Sequence, residues 1–133
     1  MKLTSKRRMI AAAALVGLVA APAMAAAKKD PEVRLAERLE GRVAGEPVRC
    51  IDTSRIRSST IYDRTAIVFE AGSTLYVNRP DNGARALRRS DIMVTRPTIN
   101  RLCNIDTVEM RDQSGFYSGS VFLGDFVPYK KAS

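Results

Sequence analysis

Ile56-Arg57-Ser58-Ser59-Thr60-Ile61-Tyr62, Asp63-Arg64, Thr65-Ala66-Ile67-Val68-Phe69-Glu70, Ala71-Gly72-Ser73 and Thr74-Leu75-Tyr76-Val77-Asn78 follow one another without a break. β-Branched and aromatic residues crowd the three longer blocks and turn formers fill the two short ones, so the stretch predicts a three-stranded antiparallel meander. Alternation along a strand puts Ile67 and Phe69 on one face. With Ala71-Gly72-Ser73 as the connecting turn, Leu75 and Val77 are expected on that same face, leaving Thr74, Tyr76 and Asn78 on the other.

The same pattern recurs downstream. Ile92 and Val94 alternate with Met93 and Thr95, Pro97 interrupts before Ile99 to Cys103, and Asp106 to Arg111 and Phe116 to Leu123 flank the turn Asp112-Gln113-Ser114-Gly115. In this last hairpin Val108 and Met110 are expected in the core, with Thr107, Glu109 and Arg111 in water. Pro80-Asp81-Asn82-Gly83 marks a loop, Arg79 to Leu87, expected to be mobile. Upstream, Asp30-Pro31-Glu32 reads as N-cap, N1 proline and a first-turn acid. Val33, Leu35, Ala36, Leu39 and Val43 form the apolar side of the helix that follows, Arg34, Glu37, Arg38 and Glu40 its polar side, and Gly41 its stop. The fold class is mainly β: a small antiparallel half-wrapped sheet or barrel of about six strands with one short N-terminal helix.

The N-terminus is of a different kind. Lys2, Lys6, Arg7 and Arg8 precede an uncharged Ala-rich run from Met9, and Ala23-Met24-Ala25 supplies small residues for cleavage, the pattern of a secretory signal. Cleavage is expected after Ala25, which divides the chain into a signal peptide (1–25), a leader with the short helix (26–47) and a β domain (48–133). Ala contributes little insertion energy, so no stable membrane insertion is expected once the signal is removed. The whole chain has 22 basic and 14 acidic residues, a net charge of +8. Removing the four basic residues of the signal halves that charge to +4, which together with the interspersed acids argues against nucleic acid as a partner. The expected location is the periplasm.

An oxidising compartment favours bonding between the only two cysteines, Cys50 and Cys103. Closing so long a loop is worth about 4 kcal/mol by chain entropy. With no C-x-x-C spacing and no His in the chain, thiol redox chemistry, zinc sites and His-dependent nucleophilic catalysis lose their usual residues. No cofactor, no metal ligand set and no catalytic residue is assigned.

Arg49 to Ser58 (R-C-I-D-T-S-R-I-R-S), Tyr76 to Arg79 (Y-V-N-R), Leu102 to Val108 (L-C-N-I-D-T-V) and Leu123 to Tyr129 (L-G-D-F-V-P-Y) together resemble a family of small exported proteobacterial domains of unassigned function. The resemblance brings no catalytic residues. Many members of that family carry two further cysteines at places that fall on Ala84 and Val121 here. Their joint absence implies that they pair with each other where present, leaving Cys50 and Cys103 as the other bridge.

Two side-chain groups are candidates for chemistry. Arg85, Arg88 and Arg89 form a cationic cluster suited to an anionic envelope component or an acidic partner, with Asp81 and Asp91 flanking it. Asp52 and Asp106, drawn near each other by the disulfide, are the candidate carboxylates; closeness would raise one pKa, whereas Arg55 and Arg57 would neutralise the pair. The function expected is a non-enzymatic periplasmic binding or interaction domain for a protein or envelope component, the alternative being a carboxylate-dependent envelope hydrolase lacking His.

Overall fold

The computed structural model describes residues 16–18, 28–97 and 99–133. The signal-peptide reading and its cleavage point after Ala25 fall almost wholly outside the described residues. Among those described, no helix is long and apolar enough to cross a membrane.

One α-helix, α1 (Pro31–Arg38), is followed by ten strands: β1 (Arg42–Ala44), β2 (Cys50–Asp52), β3 (Ile56–Tyr62), β4 (Ala66–Ala71), β5 (Thr74–Asn78), β6 (Ile92–Val94), β7 (Arg101–Cys103), β8 (Thr107–Arg111), β9 (Tyr117–Phe122) and β10 (Phe126–Lys131). They form antiparallel sheets in the orders β1-β10-β5-β4-β3, β6-β8-β9 and β2-β7. The fold is mainly β with one α-helix, as its pattern predicts, and the described residues close no barrel.

β3, β4 and β5 are the meander, with one consequential difference. Ala71 pairs with Thr74, so the β4–β5 turn holds only Gly72 and Ser73, and Val68 stands opposite Val77. A change of one residue in a turn exchanges the faces of the strand that follows. Leu75 and Val77 therefore lie with Ala66 and Val68 on the side opposite Ile67 and Phe69. Each side has its own core. Ile61, Ile67, Phe69 and Phe126 pack against Ile51, Leu87, Leu102, Val108, Met110, Val121 and Leu123 from the smaller sheets. Tyr62, Ala66, Val68, Leu75 and Val77 pack against Leu35, with Leu39 and Tyr129 at the margin.

Helix α1 starts where its cap residue dictates: Asp30 Oδ1 accepts the Glu32 N–H at 2.8 Å. Its inward line is narrower than expected. Leu35 is buried and Leu39 half-buried, whereas Val33 is half exposed and Val43 lies beyond the helix in β1. Gly41, at φ +74°, turns the chain into β1.

β10 is not among the strands expected from the sequence, and Pro128 lies in its middle. The Pro128 carbonyl accepts from Gly45 N–H at 2.7 Å, so the side of Pro128 that lacks a donor faces the β1 edge. There the pairing breaks off after Ala44 opposite Tyr129 and resumes only at Val48 opposite Phe126, which makes the missing donor harmless. Past that break the chain enters β2, and Cys50 stands directly opposite Cys103 in β7, their Sγ atoms 2.05 Å apart in a disulfide.

Two stability measurements follow. Reducing the disulfide, or replacing Cys50 and Cys103 by Ser, should lower unfolding free energy in denaturant titrations by about 4 kcal/mol, given a separation of 53 residues; an unchanged midpoint would mean the β2-β7 ladder holds without it. Leu35→Ala should cost about 3 kcal/mol by uncovering the second core; a loss under about 1 kcal/mol would reduce α1 to a surface attachment.

Candidate functional site

The cationic residues of the sequence meet others that its reading did not join to them. Lys28, Lys29, Arg34, Asp63, Arg88, Arg89 and Ser90 line a cleft of about 550 Å³ between α1 and the turn that ends β3. Each wall has a local cause. Tyr62, the last residue of β3, is buried under α1, and the Arg34 guanidinium sits over its ring at 5.6 Å from the centroid. That placement lets the Arg34 stem cover apolar surface while its head looks into the cleft. Burial pushes the Tyr62 phenol up, with the Arg38 and Arg34 charges pulling the other way.

The opposite wall is pinned at both ends. Leu87 is wholly buried and its carbonyl accepts the Arg64 N–H at 3.0 Å; past it, the Arg89 N–H donates to Asp63 Oδ1, and the Asp91 N–H closes a turn onto the Arg88 carbonyl. Asp91 Oδ2 accepts from the Ser118 hydroxyl at 2.6 Å, which ties the far end to β9. The preceding loop, expected to be mobile, is tethered as well. Asp81 N–H and Phe122 N–H bond across to Phe122 and Asn82 carbonyls, and Gly83, at φ +80°, lies so close that a Cβ there would meet the Ser120 carbonyl oxygen at 2.3 Å.

Of the three arginines singled out in the sequence, Arg88 and Arg89 line the cleft and Arg85 does not, being carried on the short 3-10 turn Ala84–Ala86 that packs on β9. Lys28, Lys29 and Arg34 complete it. Lys29 is also paired with Glu37 at 2.8 Å; Arg34, Arg88 and Arg89 make no ion pair with the described residues. Asp63 is the acid that answers them.

Asp52 and Asp106 point to different local tasks. Asp52 stands opposite Arg101 at one end of the β2-β7 ladder, and its Oδ1 accepts from the Ser54 hydroxyl at 2.6 Å and the Ser54 amide at 2.9 Å. Those bonds, helped by the Arg55 and Arg101 charges, hold its carboxyl below the usual range. Asp106 lies past Cys103 at the other end, where Oδ2 accepts the Cys103 N–H at 2.7 Å in a tight turn. Among the described residues no group of three or more His, Cys, Asp or Glu is placed to hold a metal ion.

Elsewhere, Glu70 is lowered by the Ser58 hydroxyl first and then by Arg57 and Arg38, and Glu32 by a two-pronged pair with Arg79 at 2.7 and 3.1 Å. No family model matches the chain, and no curated protein and no solved structure matches it.

Glu32, Asp52 and Glu70 thus hold protons more weakly folded than unfolded. The stability this confers is in place above the unfolded carboxylate values, near about 4, and is lost as pH falls through the lower folded values. Thermal scans should show Tm steady around neutrality and falling below about pH 4.5, with a shallower fall in Asp52→Asn. A Tm that climbs on acidification would contradict the assignment.

Proposed function

We propose that this is an exported, non-enzymatic periplasmic binding domain that receives an anionic group of a partner protein or envelope component in the cleft between α1 and the Arg88–Ser90 segment. The carrying observation is the convergence of Lys28, Lys29, Arg34, Arg88 and Arg89 on one concave surface with a single carboxylate among them, Asp63, one of whose oxygens is engaged by a backbone amide. Cations gathered in a concavity strengthen one another's field toward an incoming anion. Guanidinium groups add the forked donor geometry that suits carboxylate and phosphate oxygens.

Export rests on the N-terminal pattern of basic residues, apolar run and small residues before Ala25, and the disulfide fits an oxidising compartment. The hydrolase alternative has less to support it, since Asp52 and Asp106 are engaged separately by local donors at opposite ends of their ladder.

Titrating pyrophosphate into isotope-labelled protein should move the amide signals of Lys29, Arg88, Arg89 and Ser90. The affinity should fall at least about tenfold between low salt and ~0.5 M salt, and be lost in Arg88→Glu plus Arg89→Glu. Shifts scattered over the surface, or indifferent to the double charge reversal, would overturn the reading.

A further inference from the structure

The cleft continues into a second hollow through a shared residue, Arg89. Ser59, Thr60 and Ile61 of β3 line one side of this hollow of about 380 Å³, and Asp91, Ile92 and Met93 line the other. β3 is the last strand of the five-stranded sheet and β6 the last of the three-stranded one. Each pairs on one side only, so alternate amides and carbonyls along both edges have no strand to bond among the described residues. Two unpaired edges thus border one hollow, with a basic cleft at its end.

We infer that an extended acidic peptide segment of a partner protein adds as a strand along β3, in the opening between β3 and β6, with its carboxylates reaching the cleft. This rests on the cleft as the anion site and names what brings the anion.

The faces of β3 specify the peptide's pattern. Ile61 belongs to the core beneath the smaller sheets, and Met93 packs against that same core. Thr60, opposite Val68, and Tyr62, opposite Ala66, lie on the α1 side, where Arg34 covers the Tyr62 ring. A strand laid beside β3 alternates its side chains between these two faces. One set meets Ile61 and Met93 and is apolar. The other meets Arg34, Lys28 and Lys29 and is acidic. Exposed Ile92 at the rim adds apolar surface on the β6 side. Main-chain hydrogen bonds to the β3 edge then provide affinity that depends little on sequence, while the alternation selects the ligand.

The probe is a terminally blocked heptapeptide of alternating Glu and Val, used with the whole exported protein. Calorimetry should show binding that weakens at least about tenfold when alternate peptide nitrogens are methylated, the change expected from losing one or two hydrogen bonds. Arg89→Glu should weaken it by a similar factor. Amide exchange should slow along residues 59–61 when the peptide is present. Binding unaffected by methylation, or exchange along β3 unchanged, overturns strand addition. So does recruitment to phosphatidylglycerol vesicles without peptide binding, which assigns the surface to a membrane, and so does protection of β3 by self-association in the absence of peptide. Pyrophosphate shifts at Arg88 and Arg89 that persist in any of these cases leave the cleft standing and remove only the strand. Loss of those shifts removes the cleft itself.

Discussion

Ala66, Ile67, Val68 and Phe69 are consecutive, and none exposes more than 2% of its surface. In a strand, consecutive side chains point to opposite faces, so such a run has to be covered twice. Here the two covers are unlike. The broader one is built from β6-β8-β9 and β2-β7, and the narrower one is a single helix of eight residues anchored by Leu35. Both features of functional interest follow from this. A helix laid over the β4 side of the sheet carries Arg34 to the end of β3. Covering a five-stranded sheet with one of three strands leaves two edges apart, with a hollow between them.

Much of the framework can be read from the sequence because it is local. The β3-β4-β5 meander and the β8-β9 hairpin are held by neighbours in the chain, and the buried Val108 and Met110 declare themselves by alternation. What escapes a sequence reading depends on counting to one residue or on distant partners. The two-residue turn Gly72-Ser73 reversed the faces expected for Leu75 and Val77. β10 hides behind Pro128, and its strand partners, β1 and β5, lie far away in the chain. The cleft divides along the same line. Arg88 and Arg89 are adjacent and stand out, while Arg34 looks solvent-facing until Leu35 and Leu39 fix which side of α1 turns inward. Lys28 and Lys29 read as part of the leader, and Asp63 as a turn former.

The cleft is also a meeting of unequal supports. Its Arg88–Ser90 wall is clamped by buried Leu87, by Asp63 and by the Asp91–Ser118 bond. The facing lysines precede the helix cap and have far less holding them; one is paired with Glu37 on the surface, a contact of small worth. The cleft thus joins a wall whose backbone is held at several points to one whose lysines are held by little.

Asn78 is the one polar side chain in the described core that is wholly buried, and its amide both donates to the Gly124 carbonyl at 2.7 Å and accepts from the Gly124 N–H at 3.0 Å. Gly124 has no room for a side chain, since a Cβ would come within 2.4 Å of the Arg79 carbonyl oxygen. Apolar packing alone is forgiving of a slipped strand; this pair is not. Sliding β10 along β5 by a single place would strand a carboxamide and a peptide group in a region without water. The fold thus carries an internal check on its last strand: the C-terminal segment can dock in one alignment, and every other is penalised at a single buried address.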